Sequence, residues 1–200
     1  MLRSFLVLTA ATAVLVAAPA APVPKAKPTG PLYFPTKVGT KWVYEQDGCE
    51  VIRVVTKVEA AERGTLVTVR SVVESGQTRP FHTVLVSEAG VSLTEEAGQP
   101  YDSPLQVLKL HQTGGKWETT SSRNVRNGVM TLHGTNSVRG VEEVRVPAGR
   151  FKAVRVDSCL SMNGQPPWKM TNWFAPGVGV VRDESSPTTL ALKSFTLGQD

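Results

Sequence analysis

The chain has 200 residues, 40% of them hydrophobic, 20% charged and 6% aromatic, a balance that excludes fibrous and disordered classes and suffices for one ordinary globular core. Its 22 Lys+Arg against 17 Asp+Glu give a formal charge of +5. The cations are scattered, without the stripe or helical face that a nucleic-acid partner would require.

Met1-Leu2-Arg3 makes a positive start and is followed by an uncharged apolar stretch from Phe5 to Ala18, the pattern of a secretory signal peptide. The stretch is shorter than the roughly 20 apolar residues that span a bilayer, and Pro19 and Pro22 close it. Residues 1–20 are therefore expected to be a leader cut near Ala20 or Ala21, with an uncleaved amino-terminal anchor as the alternative. No Cys lies near the cut, so a lipid-modified first residue is not expected. Loss of Arg3 would lower the formal charge by one, leaving a mild surplus that an ordinary soluble surface explains. Residues 21–31 carry four prolines and two lysines without apolar periodicity and should form an extended tether. Residues 32–200 then form a single domain.

Short β-branched and apolar runs broken by Gly, Asn and Asp follow from Leu32 onward, which predicts an antiparallel all-β domain of about a dozen strands. The clearest are 41–47, 49–58, 65–74, 81–87, 129–134, 142–146, 151–158, 169–174, 178–183 and 190–195. Asp47-Gly48, Asn127-Gly128 and Asn163-Gly164 supply residues tolerant of positive φ at tight hairpin turns, so successive strands should be neighbours in a meander.

Asp102 to Leu110 resists that pattern. Pro104 after Ser103, with Leu105 and Leu108 following, suits the first turn of one short helix; an extended linker crossing the core is the competing reading. Near the same point the sequence restarts. Gly39-Thr40-Lys41-Trp42 is echoed by Gly114-Gly115-Lys116-Trp117, and Gly90-Val91 with Leu93 by Gly177-Val178 with Val180. These echoes raise the possibility of two related meanders, facing each other or continuing one curved sheet.

Cys49 and Cys159 are the only cysteines. In an oxidising compartment they are expected to pair, and closing so long a loop would add roughly 4 to 5 kcal/mol on the chain-entropy account. The alternative is two separate buried thiols. Neither has a C-x-x-C neighbour that would suggest redox or zinc chemistry.

Three phrases carry a resemblance: Tyr33-Phe34-Pro35-Thr36-Lys37-Val38-Gly39-Thr40-Lys41-Trp42-Val43-Tyr44, Val146-Pro147-Ala148-Gly149-Arg150-Phe151, and Trp173-Phe174-Ala175-Pro176-Gly177-Val178-Gly179. In this order they resemble a group of uncharacterised exported bacterial β-proteins. The resemblance implies a curved antiparallel sheet similar to the half-barrel of periplasmic lipoprotein carriers, in the periplasm or cell envelope or outside the cell, and it transfers no catalytic residue. The second phrase reads as a hairpin, and Pro176-Gly177 as a type II turn followed by a bulge or close approach at Gly179.

No nucleophile elbow, His-Glu-x-x-His, phosphate loop or dinucleotide fingerprint is present in the sequence. His82, His111 and His133 are far apart, and Glu95-Glu96, Glu142-Glu143 and Asp183-Glu184 read as solvated neighbours rather than converging pairs. No catalytic, metal or cofactor site is expected. Trp42, Tyr44, Trp117, Trp168 and Trp173 could stack on a ligand, against the competing expectation that such rings fill the core. The reading is an exported, non-enzymatic envelope protein that binds an apolar ligand, lipid or lipoprotein on a concave sheet face. The alternative is a structural or protein-interaction module working through an edge strand or its outer face. A hydrolase assembled from scattered residues is a third reading, whose mark would be a His-carboxylate pair in a cleft.

Overall fold

Alternation of strand and tight turn gives twelve strands: β1 (Lys41–Gln46), β2 (Cys49–Ala61), β3 (Gly64–Val72), β4 (Thr78–Ser87), β5 (Gly90–Glu96), β6 (Gln99–Lys109), β7 (Lys116–Val125), β8 (Gly128–Val146), β9 (Gly149–Met162), β10 (Trp168–Ala175), β11 (Gly179–Ser185) and β12 (Thr188–Thr196). The structure, a computed structural model, describes residues 30–110 and 115–199. The predicted leader, its cut at Ala20 or Ala21 and most of the tether lie outside the described residues.

Every strand pairs antiparallel with its sequence neighbours, and β1 pairs with β12, for example Trp42 with Phe195, so the meander closes into a barrel. The expected half-barrel is thus corrected. An open sheet would leave two unpaired rims, and closure removes both. The turns follow the predicted chemistry: Asp47 (φ 50) with Gly48 (φ 82), and Asn163 (φ 48) with Gly164 (φ 73), adopt the left-handed pairs that tight hairpins require. Ala97 (φ 51) and Gly98 (φ 79) make the same turn without an Asn or Asp signal.

The short helix is also corrected, because Asp102 to Lys109 belong to β6. Pro104 is accommodated because it has no ladder partner: β6 meets β7 through the single pair Tyr101 and Arg123, and pairing with β5 skips from Pro100 to Leu105. A strand can hold a proline where no N–H is demanded. Side chains close this seam instead. Asp102 Oδ1 accepts from Ser121 Oγ (2.8 Å) and from the Ser122 backbone N–H (2.9 Å), and Trp117 Nε1 donates to the Gln106 carbonyl (3.0 Å).

The first of the two sequence echoes falls at corresponding places. Lys41-Trp42 and Lys116-Trp117 open β1 and β7, the first strands of two successive six-strand runs, whereas Gly90-Val91 opens β5 but Gly177-Val178 lies in the turn before β11, so the second echo is out of step by two residues. Both tryptophans are buried with their indole N–H on a backbone carbonyl, Val178 for Trp42 (2.7 Å) and Gln106 for Trp117.

One end of the barrel is packed shut. Val55, Val67, Val86, Val91, Leu108 and Leu192 are essentially inaccessible. The segment before β1 braces this end: the Gly177 N–H donates to Leu32 (2.7 Å), Thr40 Oγ1 donates to the Lys37 carbonyl (2.7 Å) and accepts from the Gly198 N–H (3.0 Å). The β8–β9 tip turns in as well, with the Ala148 N–H on the Leu192 carbonyl (2.9 Å). Gly90 is fixed here by space as well as by φ (+136), since a Cβ would run into the Leu108 carbonyl. Gly128 has a similar φ (+130) with nothing near its missing Cβ. Gly90→Ala is therefore expected to cost about 4 kcal/mol, and Gly128→Ala only the backbone strain, about 1–2 kcal/mol. Urea unfolding of both variants checks this, and equal costs would show that the β5–β6 contact yields freely.

Candidate functional site

The inward faces of the strands do not fill the barrel. They enclose a cavity of about 750 Å³, within the usual range for small-molecule sites, roughly 300–1,000 Å³. Its wall is mainly apolar, with Phe34, Trp42, Val69, Leu93, Phe174 and Leu190 among the contributors. Gln46, Met162 and Ser185 to Thr188 also line it. These lie at the strand ends that carry the Asp47-Gly48, Asn163-Gly164 and Ser186-Pro187 turns, so the cavity reaches the end opposite the packed one.

Charged groups enter this apolar space where the strands bulge. In the pairing of β3 with β4, Phe81 is skipped between His82 and Pro80, and both Phe81 and His82 face the cavity. Thr94 is skipped between Leu93 and Glu95, and Val181 between Val180 and Arg182. A single extra residue inverts the alternation beyond it, which turns Glu96 and Asp183 inward.

Glu96 is the centre of one cluster. Its carboxylate accepts from the Tyr101 hydroxyl (2.6 Å) and pairs with Arg123 (3.0 Å), while His82 Nε2 stands 3.6 Å away. Hydrogen bonding to His82 and Tyr101 and the charge of Arg123 hold the Glu96 carboxyl down at about 2, against the opposing effect of burial. Burial lowers the affinity of His82 for a proton despite Glu96, so His82 is neutral near pH 7. Burial and the bond to Glu96 push the Tyr101 hydroxyl up.

Arg53 is the centre of the other cluster. Its guanidinium lies 3.9 Å from the centre of the Phe81 ring and 4.9 Å from that of Tyr44, an arrangement worth more in a dry site than at a surface. It forms no ion pair with any described residue, and its Nε is buried without a protein acceptor. Tyr44 spends its hydroxyl on the Val180 carbonyl (2.8 Å), and burial pushes it up to about 12. Asp183 faces the same space, and burial pushes its carboxyl up to about 6 although the charge of Arg53 opposes the shift. Farther along the wall Ser158 Oγ donates to Asn136 Oδ1 (2.7 Å).

Of the five aromatic candidates, Trp42, Tyr44 and Trp168 line the cavity. Trp117 lies in the wall beside a second, shallower depression. Trp173 faces outward, covered by Arg182 (5.4 Å) and Arg155 (5.7 Å), with Nε1 donating to Glu142 (2.5 Å). Neither contributes to the cavity.

Two further expectations are corrected. Cys49 and Cys159 are free and exposed; they sit on β2 and β9, five strands apart around the ring, so the barrel wall keeps them from pairing. Glu96 and Asp183 are cavity residues rather than solvated turns, because the bulges reverse their faces. His82 is likewise interior, whereas His133 is exposed as expected, with Nδ1 3.1 Å from Thr120 Oγ1. His111 lies outside the described residues. The His82–Glu96 pair is a His-carboxylate pair in a cleft, but no described hydroxyl or thiol is hydrogen-bonded to His82, and a nucleophile–base arrangement needs that contact. Glu96 commits Oε2 to both Tyr101 and Arg123, and its Oε1 faces His82. The cluster can anchor a polar group and lock β4, β5, β6 and β7 together.

A family model described as DUF3108-like matches residues 107–197, which run from the end of β6 into the segment after β12. No curated protein matches the chain. Two solved structures are similar in fold. A candidate exported protein with a YmcC-like fold from Bacteroides fragilis aligns with a TM-score of 0.61 at 14% identity, over 84% of this chain and 100% of that one. A candidate lipoprotein from Parabacteroides distasonis aligns with a TM-score of 0.57 at 15% identity, over 83% of this chain and 99% of that one.

Proposed function

We propose that this chain is an exported envelope protein that holds an apolar ligand, a lipid or the acyl chain of a lipoprotein, inside its barrel without transforming it. The observation that carries the reading is the cavity of about 750 Å³, walled by aromatic and aliphatic side chains and reaching one end of the barrel. The other end is sealed by packed valines and leucines, so the interior has the form of a cup. The leader pattern of residues 1–20 and the descriptions of the two similar structures as an exported protein and a lipoprotein support the location. The alternative, an interaction module that recruits a partner strand at a sheet edge, is disfavoured at β1 and β12, which are paired with each other, and keeps support only at the sparsely paired β6–β7 seam.

The test is to produce the full chain in an exporting host and weigh it by native mass spectrometry before and after solvent extraction. The extracted protein is then titrated with cis-parinarate, a fluorescent fatty acid. An added mass removed by solvent and saturable uptake of about one probe per chain are expected. A clean mass before extraction together with no saturable uptake would overturn the reading and shift the search to protein partners.

A further inference from the structure

We infer that the ligand is an anionic amphiphile whose carboxylate or phosphate head is received by Arg53, with its apolar part against the rings and aliphatic side chains of the cavity. This rests on the cavity reading above and adds the chemistry of the head group.

The argument begins with an asymmetry between the charged groups that face the cavity. Arg123 is committed: it pairs with Glu96 at 3.0 Å and its second nitrogen reaches the Glu96 carbonyl at 3.4 Å. Glu96 is satisfied by the same pair and by Tyr101. Two groups are left, Arg53 and Asp183, which feel each other's charge but form no ion pair. A buried carboxyl has a way out, since it can take up a proton and become neutral, and Asp183 is displaced in that direction. An arginine has none, because it stays protonated at any physiological pH and offers only donors. Its need for an acceptor therefore persists: its Nε finds none among the described residues, as is also true of the Arg123 Nε, but Arg53, unlike Arg123, has no carboxylate partner there either.

The site is also built to hold the guanidinium in place. Phe81 and Tyr44 lie against it at 3.9 and 4.9 Å, and the Phe81 position depends on the bulge in β4. Contacts to the rings leave the in-plane N–H groups available, and a planar fork of donors suits a carboxylate or a phosphate. Trp42 is the register partner of Arg53 across β1 and β2, so the polar anchor and the apolar wall adjoin. A cationic head would be repelled by Arg53, and an uncharged one could accept a hydrogen bond from it but would leave its charge uncompensated.

Dodecanoate, dodecyl phosphate and dodecan-1-ol share one chain length and differ in the head, so they separate the head-group inference from the cavity reading. Their affinities are measured on the solvent-extracted full chain by displacement of a neutral fluorescent probe. At least one anion is expected to bind about tenfold or more tightly than the alcohol. Arg53→Met should narrow the anion-to-alcohol ratio towards one, while Asp183→Asn, which removes a negative charge that Asp183 carries above about pH 6, should widen the ratio at about pH 7.5. A stronger dodecanoate would point to a free fatty acid, and a stronger dodecyl phosphate to a phosphorylated lipid head. Alcohol and anions binding alike to the wild type would overturn the head-group inference and leave the cavity reading standing. Binding of none of the three would remove both. If Arg53→Met does not fold, Asp183→Asn decides, and an unchanged anion-to-alcohol ratio would sink the inference.

Discussion

Replacing Trp42 with alanine is expected to cost about 3–5 kcal/mol of stability, the range for truncating a large aromatic side chain in a core. Trp42 is only 2% exposed and is held between Phe34 and Phe195, with ring centres 5.5 and 6.2 Å away. Its indole N–H reaches from β1 to the Val178 carbonyl at 2.7 Å, which ties the first strand to the turn before β11 across the intervening β12. Truncation removes the packing and the tie together, and enlarges the cavity at the place where Phe34 braces the barrel. Trp42→Phe keeps most of the apolar area and loses mainly the hydrogen bond, so about 1–2 kcal/mol is expected. Urea unfolding of the two variants checks the order. A Trp42→Ala cost below about 1 kcal/mol would mean that the phrase from Tyr33 to Tyr44 does not fasten the ring.

Much of the fold is legible in the residues because it is local. Alternating β-branched runs, Asp47-Gly48 and Asn163-Gly164 mark strands and turns directly, and the first and third phrases of the resemblance prove to be one structure: Gly177 bonds to Leu32, and the Phe34 ring lies against Gly179. The β8–β9 hairpin at Pro147-Ala148 is equally direct. Closure is not local. Whether twelve strands end as an open sheet or a ring depends on β12 meeting β1, and no short stretch of sequence carries that information. The proline of β6 misleads for a related reason, since Pro104 is acceptable in a strand only because β7 barely pairs there.

The site was legible in part. Trp42 and Tyr44 lie in the cavity wall, as an aromatic pair two apart on one strand would suggest. Glu96 and Asp183 are misread because period-two reasoning assumes an uninterrupted strand, whereas Arg53 shares the face of buried Val55 on an unshifted stretch of β2 and is misread only because its charge suggests the outside. Phe81, Thr94 and Val181 each insert one residue, and past each insertion the predicted outside becomes the inside. Glu95-Glu96 and Asp183-Glu184 look like solvated pairs for this reason. In each, one carboxylate faces out and the other enters the cavity, a possibility that adjacency on opposite faces already contained.

Asp183→Asn is the second large effect, and its size depends on pH. The carboxyl takes its proton at about 6 in the folded chain, against 3.8 as its ordinary value. The folded state therefore binds more protons than the unfolded state between these values, and stability falls as pH rises from about 4 to about 6. A displacement of this size corresponds to at most about 3 kcal/mol, lost by the wild type above pH 6 and not by the asparagine variant. Glu96 works in the opposite sense: it is held down at about 2 from 4.5, so its contribution is present above about 4.5 and disappears as pH falls toward 2. Glu96 shapes the acid flank and Asp183 the neutral one, while His82, whose proton affinity burial lowers from 6.5, loses stability as pH falls below that value and so opposes Asp183 over part of the same window. Subtracting wild type from Asp183→Asn at each pH isolates the second flank. The difference should be small at pH 4, grow through pH 5 and 6, and level off by about pH 7. A difference that stays constant from pH 4 to 7 would mean that Asp183 titrates as a solvated carboxyl. In that case the polar side of the cavity is wetter than its bulge-directed geometry implies, and an ionised Asp183 already answers the charge of Arg53 through water.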